Sequence, residues 1–223
     1  MSIFSTEGKL AGALNRIGDL IALNLLTLLF MAPVVTAGAA VTSMYEITLK
    51  MVKNEEGGVA ASFLRAFRNN FKKSTEVWLG GLALTAFLGL DIWLLGRLDA
   101  SWVRYYKILL FVLALLVMMF TVFSLVTAAR FENTLKNTIK NGILFCVIHF
   151  LKSILMFAVM LIPAGLLFLS PRFWCVIVLI GVSGPAFLTS FYFRELFKNF
   201  EKKDRRLSDG QESMAGTEKG TFS

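Results

Sequence analysis

Long apolar runs alternate with short charged stretches along most of this chain. The runs occupy 17–35, 76–96, 105–129, 145–169 and 172–193, and Lys and Arg gather between them. A hydrocarbon core about 30 Å thick is crossed by about 20 apolar residues in a helix. Since each run is close to that length, the pattern predicts five membrane-spanning helices.

A sixth span is expected from 36–52, which is rich in small residues. Pro33 should end the first helix, because proline has no backbone N–H to donate and disfavours a helical residue before it. The small residues, which let a neighbouring helix approach closely, are Gly38, Ala39, Ala40, Thr42 and Ser43. The predicted fold class is an all-α polytopic transmembrane helix bundle of about six spans. One long crossing over 17–52, giving five spans, stays open as the alternative.

Two of the charged stretches resemble each other. The segment "SFLRAFRNNFKKS" at 62–74 aligns with "RFENTLKNTIKNG" at 130–142 with an offset of 68 residues. In each copy apolar residues recur every fourth position and would form one stripe along a helix, with the cations opposite. The stripes are Phe63, Phe67, Phe71 and Phe131, Leu135, Ile139, and the aligned cations are Arg68, Lys72, Lys136 and Lys140.

This similarity predicts two repeated amphipathic helices on the cytoplasmic side, each leading into a span, within an internal repeat of about 36–97 and 105–169. One interpretation is that both lie in the lipid interface, with cations toward anionic headgroups. The other is that they dock a partner protein through their apolar stripes. Both interpretations stay open.

Composition and charge agree with a membrane protein and suggest its orientation. The chain is 56% apolar and 17% charged, which is unusual for a soluble domain. Six spans with an inside N-terminus place 18 Lys and Arg on the cytoplasmic side and four outside, as the positive-inside rule favours. Both termini are therefore predicted to be cytoplasmic. The charged tail, 201–223, is expected to be disordered beside a transmembrane domain of 1–200.

Five ionisable residues within or beside the apolar runs are candidates for an intramembrane polar pathway: Asp19, Glu46, Asp91, His149 and Lys152. Charges are costly in hydrocarbon and often mark a pathway. His149 and Lys152 would share one helix face at the i, i+3 spacing. Each candidate lies close to the end of a span, so solvation at the interface is the alternative reading.

Residues for catalysis or metal binding are not found. The chain has one histidine and two cysteines, and lacks the H-E-x-x-H, P-loop and G-x-S-x-G patterns. Cys146 and Cys175 are expected near opposite ends of their spans, too far apart for a disulfide. We therefore expect no catalytic residues, no metal, no cofactor and no enzymatic activity.

Several quoted segments carry a family resemblance. The stretches "LNLLTLLFMAPVVTAGAAVTSMYEI", "SFLRAFRNNFKKSTEVWL", "ARFENTLKNTIKNG" and "GPAFLTSFYFRELFKNF" resemble the YesL family of bacterial integral membrane proteins, a domain of unknown function. The resemblance implies a multi-pass protein of the bacterial cytoplasmic membrane that is associated with sugar uptake. It supplies no catalytic or binding residues.

The resulting functional hypothesis is a non-enzymatic accessory component of carbohydrate uptake by an ABC importer. Its expected partners are membrane lipids and the importer's permease or ATPase subunits, and no nucleic acid. The E-A-A-x-x-x-G loop typical of ABC permeases is absent, so the chain itself is not expected to be a permease. The alternatives are an autonomous transporter or channel for a small solute, and a membrane-embedded regulator of sugar uptake.

Overall fold

Helices account for nearly all of the part of the chain that the structure describes, and this part contains no strand. The structure is a computed structural model, and it describes residues 3–53, 55, 57–97, 101–131, 134–169, 172 and 174–198. The helices are α1 (Ile3–Met31), α2 (Ala37–Lys53), α3 (Val59–Leu94), α4 (Ser101–Arg130), α5 (Leu135–Ile148), α6 (Phe150–Leu169) and α7 (Trp174–Lys198). The predicted disordered tail, 201–223, lies outside the described residues.

Four described helices, α1, α3, α4 and α7, are long and apolar enough to cross a membrane, and α5 with α6 makes five if that bent pair is one span. The chain is therefore an all-helical protein compatible with several membrane crossings. The predicted count of about six is not confirmed, and the difference concerns α2. This helix has 17 residues, of which 13 are buried.

Neighbouring helices enclose α2, which explains its composition. Every small residue predicted to allow close packing is buried. At Gly38 an added Cβ would meet the Trp78 side chain and the Ser74 carbonyl of α3. Because protein rather than lipid surrounds this helix, its surface does not have to be uniformly apolar. The prediction of close packing through small residues is confirmed.

The break at Pro33 is confirmed, and its position is informative. After α1 a short 3-10 turn, Val34–Thr36, leads into α2. The Trp78 indole N–H donates to the Val34 carbonyl at 2.7 Å, so this turn lies beside the middle of α3. From Trp78, α3 continues to Leu94, a further rise of about 24 Å. The α1–α2 turn therefore stops well short of the far end of α3.

The first amphipathic segment runs into its span without interruption, as predicted. It forms the start of α3, a single helix of 36 residues, which is about 54 Å long at 1.5 Å per residue. That length exceeds the hydrocarbon core of about 30 Å. One part of α3 must therefore extend beyond the core if the helix crosses the membrane upright.

The second copy differs from the first. Phe131 follows the end of α4, and α5 begins only at Leu135, so Phe131 is not part of the predicted amphipathic helix. The predicted span over 145–169 is also interrupted. At His149 the chain leaves helical geometry. The axis of α6 is bent by 106° away from the direction of α5. The internal repeat is therefore a similarity of sequence, and a repeated fold is not confirmed.

The last helix is distorted where glycines and a proline interrupt it. A π-helical segment, Ile177–Gly181, and a turn at Val182 precede the regular part of α7. Pro185 contributes no N–H, and Gly181 and Gly184 allow the local change in backbone path. The distortion of α7 therefore coincides with these three residues.

Candidate functional site

The apolar stripe of the first amphipathic segment faces the inside of the bundle. Phe63 is fully buried and Phe67 is half-buried. Both rings pack on Phe30 of α1, with centroid distances of 5.6 and 4.7 Å. Phe71 remains 39% exposed. The docking role predicted for Phe63 is therefore corrected: its side chain holds α3 against α1 and is not available to lipid or a partner. Phe67 packs on the same ring of α1 but keeps part of its surface outside.

The cations of the same segment are outside the bundle. Arg65, Arg68 and Lys72 are all exposed on the first half of α3. We call this surface the basic face of α3. The buried phenylalanines fix its orientation, because they anchor the opposite side of the helix.

The second copy exposes more of its apolar residues. Phe131 is half-buried and its ring packs on Phe197 at a centroid distance of 5.2 Å. Leu135 and Ile139 are each 37% exposed, and Lys136 and Lys140 are exposed. Ile139 lines a shallow apolar groove of about 220 Å³ between α3, α4 and α5. Two stripe residues of the second copy are therefore exposed, compared with Phe71 alone in the first copy.

The predicted polar pathway is not assembled among the described residues. Glu46 accepts from Lys50 at 2.7 Å and from Asn70 at 3.0 Å, so its carboxylate ties α2 to α3. Asp19 and Asp91 are half-buried on α1 and α3. The described residues include no hydrogen bond or ion pair that joins any two of the five candidates.

His149 and Lys152 do not share a helix face, which corrects the prediction. His149 lies at the bend after α5, whereas Lys152 is in the first turn of α6. The Lys152 ammonium lies 5.3 Å from the centre of the Tyr192 ring on α7, a cation–π distance. The bend thus gives the two residues different surroundings.

One important polar residue was missed by the sequence analysis. Asn24 of α1 is fully buried and its amide meets the distorted segment of α7. Its Nδ2 donates to the carbonyls of Ile177 and Val178 at 2.9 and 2.7 Å. Its Oδ1 accepts from the N–H groups of Val182 and Ser183, each at 2.8 Å. One side chain therefore satisfies four backbone groups beside the π-helical segment.

Hydroxyl contacts and an arginine align the end of α7 with the end of α2. The Tyr45 and Thr189 hydroxyls are 3.3 Å apart, and those of Thr48 and Ser190 are 2.8 Å apart. One turn further, Arg194 donates to the Val52 carbonyl at 3.3 Å. These contacts, all buried or partly buried, place the C-terminal turns of the two helices side by side.

A cavity of about 280 Å³ lies where α2, α4 and α7 approach their C-terminal ends. Its charged lining residues are Lys53, Glu55, Arg130, Arg194 and Lys198. Leu49 and Phe197 form an apolar wall. We call this space the basic cavity. The four cations of the cavity contribute to the count of Lys and Arg that predicts the orientation. Their positions in the sequence do not show that they form one site.

These features define an all-helical protein whose apolar helices are compatible with several membrane crossings, with a buried central helix and a basic cavity at one end of the bundle. A family model described as "Protein of unknown function, DUF624" matches residues 20–92, from within α1 through most of α3. The chain is similar to that family over this stretch, which is less than half of its length. Neither the curated proteins nor the solved structures gave a match.

Proposed function

We propose that this chain is a non-enzymatic accessory protein of the bacterial cytoplasmic membrane that binds a carbohydrate ABC importer. The resemblance of the quoted segments to the YesL family supports the choice of importer. The match of residues 20–92 to a family of unknown function is compatible with it. The partner surface is the basic face of α3, and the partner is an acidic cytoplasmic surface of the importer's permease or ATPase.

The observation that supports this proposal best is that α3 has a buried apolar side and an exposed basic side. Phe63 and Ala66 are buried against the bundle, while Arg65, Arg68 and Lys72 remain exposed. Because α3 is longer than the hydrocarbon core, this half can project past it. A rigid row of cations at that position favours association with an acidic partner through charge complementarity.

We also propose that both termini are cytoplasmic and that α1 and α2 form a shallow re-entrant hairpin, whose turn beside Trp78 reaches only the cytoplasmic end of the α3 span. The position of Val34 beside Trp78 supports this arrangement, because the turn stops short of the far end of α3. A hairpin that enters and leaves on one side preserves the orientation favoured by the distribution of Lys and Arg. It replaces the two complete crossings expected from 17–52.

The test of the accessory role is recovery of partners in mild detergent from the native membrane, identified by mass spectrometry. The wild-type chain should retain permease or ATPase subunits, and Arg68→Gln with Lys72→Gln should lose most of them. Arg104→Gln, an exposed cation at the start of α4, is the matched control and should retain them. Absence of importer subunits from the wild-type sample, or equal recovery in the double variant, contradicts the proposal.

A second candidate function, transport of a small solute by the chain itself, is favoured by the distorted segment of α7. Discontinuous helices supply binding sites in many transporters, because their free backbone groups can face a substrate. Here Asn24 occupies those backbone groups. Solute flux in vesicles that contain only this protein would favour transport over the accessory role.

A further inference from the structure

We propose that the basic cavity binds a phosphate ester with a short organic substituent, such as a phospholipid headgroup or a soluble glycerol phosphate. The site uses none of the residues on the basic face of α3. It is therefore independent of the proposed importer partner.

The lining of the basic cavity carries an excess of positive charge. Lys53, Arg130, Arg194 and Lys198 come from three different helices and meet at one cavity, and Glu55 is the one carboxylate among the described residues of its lining. The partial negative charges of helix C-termini offset some of this positive charge. Glu55 offsets one further unit. Even without Arg130, the cations Lys53, Arg194 and Lys198 leave an excess of positive charge in a recess beside apolar side chains, where the field of several like charges attracts an anion.

The arginines of the cavity have a shape that suits phosphate, and the cavity wall is well packed. Two of the cations are arginines, whose planar guanidinium groups suit the oxygen atoms of phosphate. Arg194 is held in place by its bond to the Val52 carbonyl at 3.3 Å. Phe197 is 2% exposed and packs against Phe131, Phe145 and Phe193, so the apolar wall is part of the core. The cavity therefore has a firm wall and an oriented donor.

The volume of the basic cavity limits the size of the ligand. Its volume of about 280 Å³ is at the lower limit for small-molecule pockets, which span about 300–1,000 Å³. A phosphate with a small substituent fits that space better than a nucleotide does. Leu49 and Phe197 are almost fully buried and close the inner side of the cavity, so the ligand is held mainly through its phosphate by the cations of the lining.

The test uses the full chain in nanodiscs and compares two sources of the phosphate. Phosphatidylglycerol nanodiscs are compared with phosphatidylcholine nanodiscs by the unfolding temperature and by lipid retained in native mass spectrometry. Glycerol 3-phosphate and inorganic phosphate are then titrated into the phosphatidylcholine sample, against chloride of equal ionic strength. Selective retention of phosphatidylglycerol identifies a headgroup as the ligand. Selective binding of glycerol phosphate identifies a soluble ester.

The variants separate the cavity from general basic charge. Lys53→Gln with Lys198→Gln should weaken binding of the preferred probe by about tenfold or more, because charged partners of the phosphate are removed. Arg104→Gln with Lys107→Gln removes the same charge at the start of α4, away from the cavity, and should bind like the wild type. The proposal is overturned if neither phosphate source binds the wild-type chain above chloride, or if both double variants lose the same affinity.

Discussion

At the scale of single residues, Asn24 shows how one side chain can make a distorted membrane helix possible. Backbone groups without an intrahelical partner cannot turn to water inside a bilayer, so they have to be satisfied by protein. The two donors and the one oxygen of the Asn24 amide bond to four backbone groups in and beside the π-helical segment of α7. In the sequence, Gly181, Gly184 and Pro185 mark the place of the distortion. Sequence reasoning could not find Asn24, which lies more than 150 residues earlier.

Asn24→Leu should therefore destabilise the protein strongly. Each buried polar group left without a partner costs about 1–3 kcal/mol, and the substitution removes the partner of several. Asn24→Asp should also destabilise, because an ionised carboxylate has no donor for the Ile177 and Val178 carbonyls. The measurement is the unfolding temperature in detergent, with the exposed Asn15→Leu on the same helix as control. Equal unfolding temperatures for Asn24→Leu and Asn15→Leu would show that the amide contacts are not stabilising.

At the scale of helices, local sequence predicted the elements better than their arrangement. Pro33 ended α1, and the first amphipathic segment continued into α3, because both depend on nearby residues. The bend at His149 was missed, since the apolar pattern of 145–169 continues through it without a glycine or proline at that point. The same limit applies to Phe63, whose stripe has the pattern of an interfacial helix but packs on Phe30 of α1.

The bend makes α5 and α6 differ measurably from α3. Spin labels at Lys136 and Ile162, both exposed, would be about 39 Å apart on a straight helix and about 23 Å apart with the 106° bend. The matched pair is Arg68 and Leu94, which have the same separation in sequence on the continuous α3 and should be about 39 Å apart. Double electron–electron resonance measures both distances. A long distance for the first pair would mean that residues 135–163 form one straight span.

At the scale of the whole molecule, charge and packing point to the same end of the bundle. Four of the 18 cations that predicted orientation from their number alone are brought together in the basic cavity by the ends of α2, α4 and α7. Their number was readable from the sequence. Their convergence was not, because Lys53, Arg130 and Arg194 are distant in the chain and meet only through the contacts of α2 with α7 and α4.

The proposed re-entrant hairpin gives the arrangement of the whole molecule a direct test. Single cysteines are placed at Arg65, Val34 and Arg104, which are all exposed in the structure, in a background with Cys146→Ala and Cys175→Ala. An impermeant maleimide added to intact cells should label the cysteine at 104, because the α3–α4 connection is predicted to be outside. The cysteine at 65 should react only after permeabilisation, and the cysteine at 34 should not react from outside, because its turn stops beside Trp78. Labelling at 34 in intact cells would instead mean that α1 and α2 cross completely, as the sequence alone suggested, and that the bundle reaches six spans once α5 and α6 are counted as one.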